Sequence, residues 1–291
     1  MEQMKKYVVL SINDNPKYGY YLPLLLFAWR SIGWDVIIFY VGQKNERNDL
    51  IMETFNLLNS RLTKQYQDYY RLVVVGIDSV LGYKTETIAQ VSRLYACCLC
   101  HESVFLMTSD ADMLPLSDYW KIEQKALYTD RNGTKRHLFD PKPTAWGRDL
   151  TDYHYPICYI GMQAKDWIDV MQLDQLEPNE MIRRDLVKIP PCNGVWCQDQ
   201  DIVTQRILQY GEHKIKKVNR GSDLRTGYPL GRVDRSNWHM NHTQLIDAHL
   251  PHDTLTNDES YNKVMKLIRH VWPTEDFTWF EKYTKEFKKL L

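Results

Sequence analysis

Residues 7–12 read "YVVLSI", an apolar run of β-formers that stops at Asn13-Asp14-Asn15-Pro16, where only a loop fits. That pattern predicts a short strand with a polar tip. Residues 22–32 repeat apolar positions at helical spacing, Gly33 ends them, and "DVIIFYVG" over 35–42 supplies a second strand. Strand, helix and strand in that order predict a right-handed parallel unit. Residues 45–70 read as a polar-faced helix, "RLVVVGI" over 71–77 as a third strand, and 85–100 as a helix leading into the apolar run "FLMT". Such alternation predicts a mostly parallel central sheet flanked by helices, an α/β fold.

In such sheets ligands gather at the carboxyl ends of the strands, which here means residues 11–13, the region of Asp78, and 109–112. All three tips are polar. The last is the most pointed: "FLMTSDADML" drives a buried-strand pattern into Asp110 and Asp112, one residue apart. Two carboxylates so spaced at a turn suit a hard divalent cation, which in turn can bridge phosphate oxygens. A capping turn that closes the strand accounts for the same residues. No GxGxxG follows the first strand and no GxxxxGK[ST] occurs anywhere, so dinucleotide and P-loop binding lose support.

Composition narrows the field further. The 291 residues carry 37 basic and 37 acidic side chains, so no global field recruits nucleic acid, and an anionic ligand must be held locally. Six cysteines in a chain this long are not a secreted disulfide scaffold, which points to a reducing, cytoplasmic setting. The apolar run after Lys5-Lys6 is too short for a signal-peptide core or a membrane span. "ACCLCH" over 96–101 lacks the two-residue gaps of a zinc site and lies in a helical pattern, so these thiols read as inert.

Two further clusters lie downstream. "CNGVWCQDQDIVTQRIL" over 192–208 sets Asp199 and Asp201 at the start of an amphipathic helix, where they serve equally as dipole-matched capping residues or as acid–base groups. "NWHMNHTQLIDAHLPHD" over 237–253 holds His239, His242, His249 and His252, any of which could complete a carboxylate–metal sphere.

The order of these pieces, an apolar strand into D-x-D, then a D-Q-D before a helix, then a late histidine, resembles glycosyltransferases of the GT-A type. The resemblance spans residues 5–255, and "ICYIGMQAKDWIDVM" and "DAHLPHD" look most like the enzymes encoded by large algal (chlorella) viruses. It implies a Rossmann-like GT-A domain over 1–255 with a helical extension over 256–291. It also implies transfer of a sugar from a nucleotide donor, a UDP-sugar with UDP-xylose one candidate, to a glycan hydroxyl.

Carried onto this sequence, the resemblance makes Asp110 and Asp112 the D-x-D that orients manganese or magnesium, with His249 as the late metal ligand and His239 and His242 behind it. Ser11, Ile12 and Asn13 would lie beside the nucleoside, Ser109 and Ala111 beside the diphosphate, and Arg93 would reach toward the phosphates. Asp199 matches the general base of inverting members, with Asp201 the alternative; in retaining members a similar D-Q stretch contacts the sugar. Asn193, Gly194 and Trp196 would meet the acceptor sugar.

Trp146, Trp196 and Trp238 are candidate stacking platforms for pyranose faces, although tryptophan also serves ordinary core packing. Residues 132–152 read as a loop or short ribbon, and 219–232 as a glycine-punctuated connection. The tail over 257–291 carries aromatics and lysines at helical spacing, predicting two packed helices, with a basic face that could meet a membrane surface. Two rival functions remain. A sugar nucleotidyltransferase would need a glycine-rich, lysine-bearing loop where this chain has "SINDNPKYG", and a non-catalytic carbohydrate-binding protein would need only the tryptophans.

Overall fold

A computed structural model describes residues 5–42, 45–62, 83–116, 127–129, 135–137, 144–147, 155, 157–173, 178–188, 197–219, 231–240 and 245–291. The first apolar run forms strand β1 (Lys6–Asn13), and Asn15 caps the short helix α1 (Pro16–Gly19) by accepting from the Lys17 N–H. Helix α2 (Leu22–Ser31) is apolar around nearly its whole circumference and is buried accordingly. It ends where Gly33 adopts φ 83° and the Trp34 N–H returns to the Trp29 carbonyl at 3.0 Å, a geometry that suits glycine. Strand β2 (Asp35–Val41) follows and pairs parallel with β1, Val8 opposite Val36. Helix α3 (Glu46–Leu62) begins the expected 45–70 helix; its remainder and the expected strand over 71–77 lie outside the described residues.

The expected helix over 85–100 forms in two parts. Helix α4 (Thr85–Ser92) gives way to a 3-10 segment (Arg93–Leu99), and at the junction the Ser92 hydroxyl donates to the Ile88 carbonyl at 2.6 Å. That side-chain bond competes with the α-helical ladder. Strand β3 (Phe105–Thr108) then pairs parallel with β1, and β4 (Met113–Pro115) leaves for a second sheet.

After β4 come a ribbon of β5 (Leu127–Thr129) and β6 (Lys135–His137), strand β7 (Thr144–Gly147), strand β8 (Ile160–Gln163) and helices α5 (Ala164–Met171), α6 (Pro178–Lys188) and α7 (Gln198–Tyr210). Strands β9 (Lys216–Asn219), β10 (Gly231–Asp234) and β11 (Leu245–His249) precede helices α8 (Asp258–Val271) and α9 (Thr278–Lys288).

The main sheet has the order β2-β1-β3-β8-β7-β9. It is parallel at β1/β2, β1/β3 and β7/β9 and antiparallel at β3/β8 and β7/β8, so it is mixed rather than uniformly parallel. Residues 144–147, within the stretch expected to be a loop or short ribbon, enter this sheet because backbone pairing on both sides stabilises a run too short to show periodicity.

Both sheet faces are covered. Val8, Leu10, Val36, Ile38 and Phe105 pack on one side with α2, α3, α8 and α9. Tyr7, Val9, Ile37, Phe39 and Leu106 pack on the other with α4, α5, α6 and α7. Alternate residues of one strand thus feed two cores, which explains why its sequence is continuously apolar. At about 25 cal/mol per Å², burying such runs is the main term stabilising the fold.

Candidate active site

The D-x-D occupies the crossing between the two sheets. Strand β3 ends at Thr108, the Met113 N–H closes a turn on the Asp110 carbonyl at 3.1 Å, and β4 continues into the order β10-β11-β4. The Leu250 N–H donates to the Asp112 carbonyl at 2.8 Å, and β11 pairs antiparallel with β4, His249 opposite Met113. This register brings His249 beside Asp112. Behind it, the buried Asp247 carboxylate accepts two bonds from Arg232, each at 2.8 Å, which ties β11 to β10.

Arg93, the first residue of the 3-10 segment, joins the two acidic clusters. Nη1 donates to the Ser109 carbonyl at 2.8 Å and to Asp110 Oδ1 at 2.6 Å, while Nη2 donates to Asp199 Oδ2 at 2.5 Å. Asp199 lies in the first turn of α7 and is 2 % exposed; its Oδ1 accepts the Gln200 N–H at 2.9 Å. Burial raises the Asp199 carboxyl above the usual carboxylate range, with Arg93 opposing that shift. Burial would lower the Arg93 guanidinium, but its two carboxylate partners outweigh that and hold it charged.

Asp112 anchors a second cluster. Its Oδ2 accepts from Arg235 Nη1 at 2.8 Å and lies 2.8 Å from His252 Nε2 and 3.3 Å from His249 Nε2. The other ring nitrogen of His249 lies 3.4 Å from Asp234 Oδ2. Burial alone would raise Asp112, but hydrogen bonds from the two imidazoles and the charge of Arg235 hold it well below the usual carboxylate range. Burial lowers His249, and its bond to Asp112 outweighs that, so its pKa is raised.

Arg93, Asp110, Asp112, Asp199, Arg235 and His249 line one cleft of about 210 Å³ at the carboxyl ends of β1 and β3. Of the residues singled out from sequence, Ser11, Ile12, Asn13, Arg93, Asp110, Ala111, Asp112, Asp199 and His249 share its wall. Ser109 reaches it only through the bond to Arg93, and Asp201 is buried in α7, off the cleft lining. His239 is exposed in the segment after β10, whereas His242, Asn193, Gly194 and Trp196 lie outside the described residues. Trp146 lies on β7.

Tyr18, Gln200 and Arg235 line the cleft although sequence reasoning did not select them. Tyr18 sits just beyond the polar tip of β1, and its ring meets His252 edge-on with centroids 5.0 Å apart. Burial pushes its hydroxyl up to about 12. Arg235 lies three residues past the glycine-punctuated connection.

The donor set suits a hard divalent ion in chemistry, since the Asp110 and Asp112 carboxylates and the His249 imidazole face one cleft. Its arrangement favours the guanidiniums, because Arg93 holds Asp110 and Arg235 holds Asp112. Among the described residues no group of three or more His, Cys, Asp or Glu side chains is arranged to hold a metal ion. Nor is any helix among them long and apolar enough to cross a membrane.

No family model matches the sequence, and no curated protein sequence does. Solved structures that resemble the chain include glycosyltransferases. The galactosyltransferase LgtC, in complex with donor and acceptor sugar analogs, shares 10 % identity over 95 % of this chain and 99 % of its own, with a TM-score of 0.47. A glycosyltransferase involved in glycosylation of the major capsid of PBCV-1 shares 8 % over 90 % of this chain and 100 % of its own, with a TM-score of 0.46. A Drosophila galactosyltransferase solved with manganese, UDP-Gal and xylobiose shares 9 % over 86 % of this chain and 71 % of its own, at 0.35.

Proposed function

We propose that this chain is a glycosyltransferase of the GT-A type, moving a sugar from a nucleotide donor to a glycan hydroxyl. The observation that carries the reading is the bridge made by Arg93, which joins Asp110 of the D-x-D to Asp199 of the D-Q-D in one cleft beside Ser11, Ile12 and Asn13. Two acidic clusters 89 residues apart in sequence have no shared structural need to meet at a strand-end cleft, whereas a two-substrate transfer needs them together.

In this reading the donor is a UDP-sugar, UDP-xylose being one candidate, and its nucleoside lies along the tip of β1. Asp110, Asp112 and His249 would hold manganese or magnesium, which supplies positive charge against the departing nucleoside diphosphate. Arg93 and Arg235 add fixed positive charge at the same wall. Asp199 accepts the proton of the acceptor hydroxyl as that oxygen bonds to the anomeric carbon and the bond to the diphosphate breaks, giving inversion. Both Asp199 oxygens are engaged, yet a carboxylate oxygen has a second lone pair open to a hydroxyl.

That engagement also favours a second reading. With Asp199 tied to Arg93 and Gln200 on the cleft wall, the D-Q pair would contact the donor sugar and transfer would proceed with retention. Calorimetric titration with nucleoside diphosphates and nucleotide sugars, each with manganese and with chelator, tests the shared reading. Manganese-dependent binding of one nucleotide family supports it, and no binding by folded protein sinks it. The anomeric configuration of the product, read by NMR, separates the two stereochemical courses.

A further inference from the structure

A second concavity of about 410 Å³ opens beside the cleft, between the segment after β10 and the start of α8. Its volume is on the scale of small-ligand sites. Arg235 lines both concavities, and His252, which lines the second, faces Tyr18 of the first. Because Arg235 and His252 both reach Asp112 Oδ2 at 2.8 Å, the wall between the two spaces is one layer of side chains resting on the D-x-D.

The lining of this groove selects a class of ligand. Trp238 packs one side against the core and is half-buried, leaving part of its indole at the groove. Also in the lining, Lys263 is paired with Glu259 at 2.7 Å, and Asn257 donates to Asp253 at 2.8 Å. Lys263 is paired with Glu259 and Arg235 with Asp112, so each of these lining cations already has its own carboxylate and neither is left over for an anion. An aromatic face ringed by neutral and paired polar groups suits a pyranose, which has an apolar face and a rim of hydroxyls.

The geometry points to this groove as a subsite for a non-reacting sugar unit of the acceptor glycan, an assignment that rests on the glycosyltransferase reading. A glycan seated on Trp238 passes over the Arg235–His252 rim into the cleft, and its bound distal unit holds the attacking hydroxyl near the donor. Remote binding of this kind is converted into positioning at the reacting centre.

The test presents wild-type protein, Trp238→Ala, Trp238→Phe and Lys263→Ala to an array of oligosaccharides built from xylose, galactose, glucose, mannose, fucose and rhamnose, with nucleotide and manganese present. Thermal unfolding and nucleotide titration accompany each variant. The expected result is capture of a defined glycan set by wild type, at least tenfold weaker capture by Trp238→Ala, and near-wild-type capture by Trp238→Phe. Lys263→Ala should weaken capture less than Trp238→Ala. Equal capture by wild type and Trp238→Ala overturns the assignment, as does capture of no glycan by wild type that still binds nucleotide. Loss of nucleotide binding in folded Trp238→Ala overturns it too, because the groove would then belong to the donor site. Failure of wild type to bind any nucleotide would instead strike the underlying reading.

Discussion

The Arg93 guanidinium donates to the Asp199 carboxylate at 2.5 Å across 106 residues of sequence, with both side chains buried. Removing one partner of such a pair strands a charge in low dielectric. Arg93→Ala should therefore lower stability by about 3–5 kcal/mol, the usual cost of breaking a buried ion pair from one side. Arg93→Lys keeps the charge but lacks the fork that reaches Asp110 and Asp199 together, so it should recover only part of the loss. Urea denaturation of the three proteins checks this, and an Arg93→Ala midpoint equal to wild type would contradict it.

The raised Asp199 carboxyl fixes the sign of a pH effect. Burial, opposed by Arg93, places its pKa above the ordinary 3.8, so the proton returns to Asp199 at a higher pH than to an exposed aspartate. The base form is the ionised one, and transfer should fall on acidification through that raised value. Stability moves the other way at this residue: its contribution is present below the unfolded pKa and is lost as pH rises through the folded one. Asp199→Asn should abolish the acid limb and slow transfer by about 10²–10⁴-fold while nucleotide binding persists. Transfer by Asp199→Asn at the wild-type rate removes Asp199 from the base role.

The main-sheet strands β1 to β3 and helix α2 were legible because each is a continuous apolar run closed by unmistakable breakers, Asn13-Asp14-Asn15-Pro16 and Gly33 among them. Asp110 and Asp112 were legible for the same reason, standing where such a run stops. The second sheet was not. Strand β4 has three residues and β10 four, too few to show a period, and they form because backbone partners lie far away in sequence. That sheet decides which histidines approach Asp112: the pairing of His249 with Met113 brings one in, and the chain just past β11 brings His252, neither of which any spacing within "NWHMNHTQLIDAHLPHD" reveals. Arg235 and Tyr18 escaped notice because their relevance arises from long-range register alone.

If Asp112 holds a divalent ion as proposed, Arg235 competes with that ion for its carboxylate. The guanidinium donates to Asp112 at 2.8 Å, and the same carboxylate raises the His249 pKa. Manganese must bind a neutral imidazole, so its affinity should rise as pH climbs through the His249 titration, with proton release on binding. Arg235→Ala should tighten manganese binding in the absence of nucleotide and weaken nucleotide binding. His249→Ala should reduce manganese affinity and remove the pH dependence. Calorimetry in two buffers of different ionisation enthalpy reads both effects; a manganese affinity flat in pH would take His249 out of the ligand set.

Helices α8 and α9 bear on where one folding unit ends. Tyr20 of the segment between α1 and α2 bonds Thr284 at 2.8 Å, and its ring stacks on Tyr283, lies tilted to Phe280 and meets Phe287 edge-on, while Phe27 meets Phe277 edge-on. The outer faces of the two helices mix signs: Lys263 pairs with Glu259, Arg269 with Glu281 and Lys289 with Glu286, which leaves little surplus charge for an anionic membrane surface. A helical extension whose aromatics complete the core of the preceding 255 residues should unfold with them. We propose that Phe280→Ala, which empties a fully buried ring site, costs about 3–5 kcal/mol and shifts one cooperative transition. A separate early transition in the variant, seen by tryptophan fluorescence before the loss of helical circular dichroism, would instead make residues 256–291 an independent unit.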